Sequence, residues 1–481
     1  MSSKLLDYIS LRKLLFIIGE AILIYISVII AIYVLWESQW GHLITSWKLF
    51  GKTCVIVLFI QSSLYFHDLY EIKKGDSFTI IVRRVGRSMG IACIGLAFIY
   101  YLLPALIIGR GVVIASLFVL SILIASWRLL YAYLLKKKIM TERILLLGLG
   151  KLSADIAKEI VERKELVYNI VAVATQKEQA TLPKGLEHAI LKKGFDDLLE
   201  FVQQEGITSI IMAMDERRGA FPFQNLLECK VNGIDVQDGV NFYETITGKL
   251  LIERINPSWL IFSDGFKTSY TERILKRALD FSGALIGLII LFPLLVLTAF
   301  LIKLETNGGI FFKQERVGRG EKPFILYKFR SMKVDAEKES GPVWAEDEDP
   351  RITKVGRIIR KTRIDELPQL WNIFKGEMSI VGPRPEREFF VQELKKKIPY
   401  YTQRFSVKPG LTGWAQILFM YGASEEDAAE KLRHELYYIK NMSIIMDIVI
   451  ILGTLKIVVL GRGAKYYECN YTKKYDIALS R

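Results

Sequence analysis

Asp365 and Glu366 are adjacent acids in a stretch dense with arginine, glycine and proline. Between Lys313 and Trp414 the chain reads Gln314-Glu-Arg316-Val-Gly-Arg319, Tyr327-Lys328-Phe-Arg330-Ser-Met332, Asp349-Pro-Arg351-Ile-Thr353-Lys354 and Gly356-Arg357-Ile-Ile-Arg360. It continues with Arg363-Ile-Asp365-Glu366-Leu-Pro-Gln369-Leu-Trp-Asn372, Met378-Ser-Ile-Val-Gly382-Pro-Arg384-Pro385 and Lys408-Pro-Gly410-Leu-Thr-Gly413-Trp414. Arginine presents a planar fork that matches phosphate oxygens, and these arginines recur beside turn residues instead of along helical faces. The pattern points to a site for a polyanion. In so basic a surround, opposite charge favours ionised acids, and an ionised carboxylate can attack a phosphoryl group or hold Mg²⁺. Two adjacent acids alone carry little: on a helix they point about 100° apart, commonly into water. Arg384 between two prolines could equally do no more than cap a turn.

The elements that must position these residues are partly apolar. Of 481 residues, 51% are hydrophobic and 24% charged, with 65 Lys+Arg against 51 Asp+Glu for a net charge of +14; the mean hydropathy is +0.27. A disordered chain is less apolar, a simple membrane bundle carries less charge, and a soluble enzyme is less hydrophobic. A composite of membrane segments and water-soluble domains remains, in about three units at roughly 150 residues each. Four apolar stretches, Leu14–Leu35, Leu49–Phe66, Met89–Gly109 and Val112–Leu135, fill the first 135 residues, and a spanning helix needs roughly 20 apolar residues. Lys4, Arg12 and Lys13 precede the first stretch. Lys73, Lys74, Arg83, Arg84 and Arg87 separate the second from the third, and Lys136, Lys137 and Lys138 follow the fourth. The positive-inside bias then places both ends of this bundle in the cytoplasm. The four cysteines (Cys54, Cys93, Cys229, Cys469) and four histidines (His42, His67, His188, His434) show no spacing that suits a disulfide framework or a zinc site.

An α/β pattern follows. Arg143–Leu147 reads as a buried parallel strand ending in a glycine turn, Ala154–Arg163 as a helix, and Ile170–Ala174, Ile207–Met214 and Gly233–Gln237 as further strands. The module is Rossmann-like but degenerate: Gly148-x-Gly150-x-x-Ser153 lacks the third glycine. Thr175 and Gln176 stand where an acid would hold a ribose. A structural or regulatory role fits better than a live dinucleotide site.

Further on, Phe281–Ile302 is 22 residues without a charge, about 33 Å if helical. Pro293 at its middle removes a backbone donor, and cations flank both ends: Lys276 and Arg277, then Lys303 and Lys313. A hairpin over about residues 279–303 that enters one leaflet, breaks near Phe292-Pro293 and returns satisfies both observations. Ser443–Leu460, interrupted by Asp447 and Lys456, reads as an interfacial helix.

From Arg273 to Leu460 the chain resembles the bacterial polyprenyl-phosphate sugar phosphotransferases, the monotopic phosphoglycosyl transferases. The matching features are the Pro-broken apolar hairpin, Lys328-Phe-Arg330-Ser-Met332, Asp365-Glu366-Leu-Pro-Gln-Leu-Trp-Asn, Gly376-Glu-Met-Ser, Gly382-Pro-Arg384-Pro385 and Lys408-Pro-Gly410-Leu-Thr-Gly413-Trp414. They come in family order, and the upstream part is similar to the large subclass that initiates capsule, O-antigen or exopolysaccharide synthesis. The resemblance implies a multi-pass protein of the bacterial inner membrane with a cytoplasmic catalytic domain. Its expected class is membrane α plus α/β: a four-helix transmembrane bundle (residues 1–138), a Rossmann-like module (139–262) and a mixed α/β catalytic domain with the re-entrant hairpin (263–481).

The implied reaction is ping-pong. Asp365 attacks the β-phosphate of a UDP-sugar, UMP leaves, and undecaprenyl phosphate then takes the sugar-phosphate from the aspartyl adduct. Glu366 would assist the second half as a base or by positioning the lipid phosphate. Mg²⁺, held partly by Asp365 and Glu366, would offset the diphosphate charge, and Lys328, Arg330 and Arg384 would bind phosphate oxygens. The expected partners are a UDP-sugar, undecaprenyl phosphate, inner-membrane lipid and, in this subclass, a homodimer mate, with no nucleic acid. Glucose- or galactose-1-phosphate is the cargo the resemblance favours, and no residue chooses between them. An ordinary glycosyltransferase and a catalytically dead scaffold stay open as rivals.

Overall fold

The computed structural model describes residues 11–35, 47–70, 78–136, 141–163, 168–176, 182, 186–214, 221–254, 265–266, 269–333, 351–419 and 424–460. The loop cations Lys4, Lys73, Lys74, Lys137 and Lys138, together with His42, Asp349 and Cys469, lie outside these residues. The chain divides into two compact units, Met1–Thr247 and Gly248–Arg481.

In the first unit, α1 (Leu11–Leu35), α2 (Trp47–Phe66), α3 (Phe78–Leu102) and α4 (Arg110–Lys136) are the four apolar stretches. α1 packs on α4 and α2, and α3 on α2 and α4, around one core that includes Ile24, Ile60, Leu96 and Ile124. α3 begins eleven residues before the expected Met89, so Arg83, Arg84 and Arg87 ride on the helix and not in a loop. The helix tolerates them because Ile81, Val85, Ser88, Met89, Ala92 and Leu96 recur at helical spacing on its buried face, leaving the long cationic side chains on the outside. Glu20 and Arg128 form a fully buried ion pair in this core, with Arg128 Nη2 at 2.6 Å from Glu20 Oε1.

The α/β module follows with β1 (Glu142–Leu147), α5 (Lys151–Glu162), β2 (Tyr168–Thr175), β3 (Ile190–Lys193), α6 (Leu198–Gln204), β4 (Ser209–Met212), α7 (Phe223–Val231), β5 (Asp235–Asp238) and α8 (Gly239–Thr247). The sheet is parallel throughout in the order β3-β2-β1-β4-β5, with the fully buried run Ile144–Leu147 at its centre. Gly148 has φ +106°, and a Cβ there would lie 2.7–2.9 Å from Met214, so the first motif glycine answers a close backbone approach. Ser153, in place of the third glycine, is buried, and its hydroxyl closes on the Gly150 backbone. Its polar group is spent on starting α5.

The second unit contains α9 (Tyr270–Glu305), the antiparallel hairpin β6 (Phe311–Val317) and β7 (Pro323–Phe329), α10 (Lys354–Lys361), α11 (Gln369–Lys375), β8 (Ser379–Val381), α12 (Glu388–Lys397), β9 (Gly410–Thr412), α13 (Trp414–Leu418), α14 (Glu425–Lys440) and α15 (Ile444–Val459). β8 and β9 pair in parallel. Residues 248–254, expected with the α/β module, fall in this unit: Trp414 Nε1 donates to Gly248 O at 2.7 Å, and Lys249 pairs with Glu430 at 2.8 Å.

Among the described residues five helices, α1–α4 and α9, are long and apolar enough to cross a membrane. α9 runs as one helix with Pro293 inside it, so the expected break near Phe292-Pro293 is not an interruption of the helix. Proline removes a single backbone donor, and helical bonding resumes on both sides. Both ends of α9 are fastened to its own unit. Arg277 donates to the Ile373 and Phe374 carbonyls at 2.8 and 2.9 Å, and Asp280 Oδ1 accepts from Ser379 Oγ and Ile380 N at 2.9 Å. At the far end the Glu305 carboxylate accepts from the Lys354 and Val355 amides at 2.6 and 3.0 Å. Lys276 and Arg277, read from sequence as topology signals, are thus packing residues as well.

Candidate active site

Asp365 and Glu366 sit on a single turn of 3₁₀ helix, Ile364–Glu366. The local sequence dictates that form. Pro368 has no N–H to offer Ile364 O, so that carbonyl accepts one residue earlier, from Leu367 N at 3.1 Å. Arg363, just before the turn, is held in the left-handed region (φ 59°), a conformation that costs a non-glycine residue about 1–3 kcal/mol and concentrates at functional sites. α10 delivers the chain to this turn, its first amides capped by Thr353 and by Glu305 of α9. α11 carries it away.

β7 supplies Lys328 and is locked to α11 by Asn372, which has no exposed surface. Its Nδ2 donates to Ile325 O and Glu377 Oε2 at 2.7 Å, and its Oδ1 accepts from Tyr327 N at 3.2 Å. Arg384 arrives on the turn after β8, the strand that Asp280 of α9 holds. This turn is packed too closely for side chains: a Cβ on Gly410 would lie 2.1 Å from Gly382 N, and one on Gly413 2.3 Å from Gly382 O. One apolar helix therefore grips both halves of the site, through Asp280 toward Arg384 and through Glu305 toward Asp365.

The two acids are both buried, at 8% and 7% exposure, yet they have opposite surroundings. Glu366 is surrounded: Oε1 takes Arg384 Nη2 at 2.8 Å and Lys328 Nζ at 3.2 Å, and Oε2 takes Arg363 Nη1 at 3.4 Å. Burial pushes its carboxyl up, but Arg384, Lys328 and Arg363 outweigh that and hold it well below the usual carboxylate range. Asp365 has no hydrogen bond or ion pair among the described residues. Burial, then the charge of Glu366, pushes it up to about 6, with Lys328, Arg360 and Arg363 opposing. Burial lowers the Lys328 ammonium, against the pull of Glu366. The Arg384 side chain keeps 39% of its surface open, so a ligand can reach it.

Of the residues singled out from sequence, the fold brings Asp365, Glu366, Lys328 and Arg384 together. Arg330 is not among the partners of either acid; its Nη1 is buried without a hydrogen bond, with Nη2 beside Gly309. Pro293 lies within α9. Arg363 and Arg360 join the site unanticipated as site residues, although both stood in the quoted motifs, and spacing alone did not mark them. Among the described residues no group of three or more His, Cys, Asp or Glu could hold a metal ion. The Asp365 oxygens have no partner among the described residues, whereas both Glu366 oxygens already face cations.

A family model for bacterial sugar transferases matches residues 271–461, which hold this whole site, and a model for a CoA-binding domain matches residues 65–237. A UDP-N-acetylgalactosamine-undecaprenyl-phosphate N-acetylgalactosaminephosphotransferase of Aeromonas hydrophila is 41% identical over 240 residues, covering 50% of this chain and 56% of that protein. A putative undecaprenyl-phosphate N-acetylgalactosaminyl 1-phosphate transferase of Bacillus subtilis is 57% identical over 130 residues, 27% of this chain and 72% of its own. An exopolysaccharide production protein of Rhizobium leguminosarum bv. phaseoli is 43% identical over 192 residues, 38% of this chain and 94% of its own.

Proposed function

The chain belongs to the bacterial sugar transferase family, and on that premise we propose that it moves a sugar-1-phosphate from a UDP-sugar to undecaprenyl phosphate, releasing UMP, as the first membrane step of a surface polysaccharide. The observation that carries the reading is the division of labour between the acids: Asp365 is left without a hydrogen-bond or ion-pair partner among the described residues and is pushed up to about 6, while Glu366 is saturated by cations. In the first half-reaction an Asp365 oxygen attacks the β-phosphorus, the bond from that phosphorus to the bridging oxygen breaks, and the bridging oxygen leaves with UMP. In the second, an oxygen of undecaprenyl phosphate attacks the same phosphorus, the aspartyl bond breaks, and the Asp365 carboxylate returns. Lys328, Arg360, Arg363 and Arg384 set four positive charges against two carboxylates, an excess that favours binding and developing charge on phosphate. A carboxyl held so far down is a weak base, so Glu366 serves by fixing the directions of Lys328, Arg363 and Arg384. Mg²⁺, when bound, would offset diphosphate charge; it would be held by Asp365 with substrate oxygens, since Glu366 has none to spare.

In this reading α9 is the element that would hold the site at the membrane. Its ends hold the same unit through Lys276, Arg277, Asp280 and Glu305, and its outward face is apolar, with Ile286, Ile289, Ile290, Phe292 and Phe300 exposed. Crossing would require those ends to lie on opposite sides, so both facts support a helix that stays with one leaflet and keeps the catalytic unit cytoplasmic. A nucleotide sugar from water and a long-chain lipid phosphate can meet only there.

The test is incubation with a panel of UDP-sugars, UDP-N-acetylgalactosamine included because two relatives bear that sugar in their names. UMP should appear, with lipid diphosphate-sugar forming only when undecaprenyl phosphate is added. UDP as the nucleotide product would replace this reading with plain glycosyl transfer.

A further inference from the structure

The turn from Val381 to Glu386 carries Arg384 but lies mostly outside regular structure, so its carbonyls need partners from elsewhere. Val381 O accepts from Lys276 Nζ at 3.1 Å and Tyr438 OH at 3.2 Å. Pro383 O accepts from Gly410 N at 2.8 Å, and Glu386 O from Val317 N at 3.0 Å. Arginine side chains take the two between: Arg404 Nη2 on Arg384 O at 2.9 Å, and Arg316 Nη1 on Pro385 O at 3.1 Å. Arg316, which stands in a stretch that reads as phosphate-binding in the sequence, is here holding backbone.

Arg404 is the most confined of them, at 5% exposure. Its Nη2 also donates to Glu435 Oε1 at 2.9 Å, and its Nη1 to Tyr401 OH at 2.5 Å; Glu435 is itself 6% exposed. Burying such a pair costs desolvation that apolar residues of equal volume avoid. An apolar residue could fill the space, but it could not hold the Arg384 carbonyl. Pro385 confines Arg384 to extended backbone, and the bond to its carbonyl fixes the peptide plane that remains free. From the other side of the same residue, the Arg384 guanidinium reaches Glu366 Oε1 at 2.8 Å.

We propose that Arg404, seated on Glu435, is a positioning residue for phosphosugar transfer: it orients the Arg384 peptide and thereby aims the Arg384 guanidinium at Glu366 and a substrate phosphate. The assignment rests on the function proposed above. It is tested on the full chain in lipid nanodiscs, measuring UMP release for wild type, Arg404→Gln, Glu435→Gln, Arg384→Ala and the Arg384→Ala/Arg404→Gln double variant. Arg404→Gln should lose about 10–100-fold in kcat/KM, mostly in kcat, as expected for a misaimed group. With Arg384→Ala already present, the same change should cost less than about 2-fold, because the group it positions is gone. Equal losses in both backgrounds, or an undiminished Arg404→Gln enzyme, would overturn the assignment. If Arg404→Gln does not fold, Glu435→Gln carried through the same cycle decides. If wild type releases UMP from no UDP-sugar, the phosphotransfer reading fails by itself. Calorimetric affinities for UDP across the same variants then decide the positioning role: coupling between positions 404 and 384 upholds it and additivity refutes it.

Discussion

Replacing Asp365 by Asn should abolish transfer and, above neutral pH, make the catalytic unit more stable. The Asp365 carboxyl is raised from its ordinary 3.8 to about 6, by burial first and the Glu366 charge second. At about 1.4 kcal/mol per tenfold step in acidity, holding it ionised costs the folded state about 3 kcal/mol. The sign follows from linkage. Below pH 3.8 the acid is protonated whether folded or not, and the side chain behaves like the amide. From pH 3.8 to about 6 the penalty grows, and above that it is complete. Asparagine never incurs it, so Asp365→Asn should unfold about 6–12 °C higher at pH 8 for a unit of this size, with the gap closing in acid. The assay is thermal unfolding of the detergent-solubilised full chain from pH 4 to pH 8, beside UMP release. Wild-type activity should climb with pH through about 6 as Asp365 ionises, while the variant stays inactive throughout. A gap that is absent at pH 8, or equal at every pH, would show that the site does not load Asp365 with unfavourable charge. Undiminished transfer by the variant would remove Asp365 as nucleophile.

Glu366→Gln should act in the opposite sense, leaving Lys328, Arg363 and Arg384 without their countercharge. Breaking a buried pair costs 3–5 kcal/mol; because two of these cations are partly exposed, about 2 kcal/mol is expected, with transfer lost. As the Glu366 carboxyl is held low, that difference should be full above pH 4.5 and shrink only in acid, a thermal-unfolding profile that mirrors the Asp365 one. A reporter fused directly after Lys303 should score as cytoplasmic, and a periplasmic score would mean that α9 spans. Gly410→Ala should cost about 3 kcal/mol or more, since its Cβ would lie 2.1 Å from Gly382 N; loss of both folded yield and UMP release checks it.

Much of the architecture was legible because hydrophobic periodicity and length are local properties. The four N-terminal apolar helices, the strands β1, β2, β4 and β5 and the helix beginning α9 all follow from runs and alternation. β3 and its neighbour α6 escaped notice, since β3 is short, polar at its end and only half covered. The start of α3 was missed because three arginines on an outward face look like a loop when faces are unknown. The hairpin break at Pro293 was over-read: one missing donor is an expected cost, and whether the helix resumes depends on what packs beside it.

The sequence by itself determined the residue types of the candidate site, because those at fixed local spacing need no fold to be counted: an acid pair, forked cations and a Pro-bounded arginine. Only the tertiary structure decided which cations serve which purpose. Lys328, 38 residues before Glu366, and Arg384, 18 after it, meet that acid, while Arg404, Arg316, Lys276 and Arg277 each give at least one donor to a backbone carbonyl and Arg330 stays apart. It also separated Asp365 from Glu366, which sequence could treat only as a pair. Electrostatic energy depends on distance and dielectric in three dimensions, so two neighbouring carboxylates of nearly equal intrinsic acidity become one open and one saturated only when the chain has closed around them.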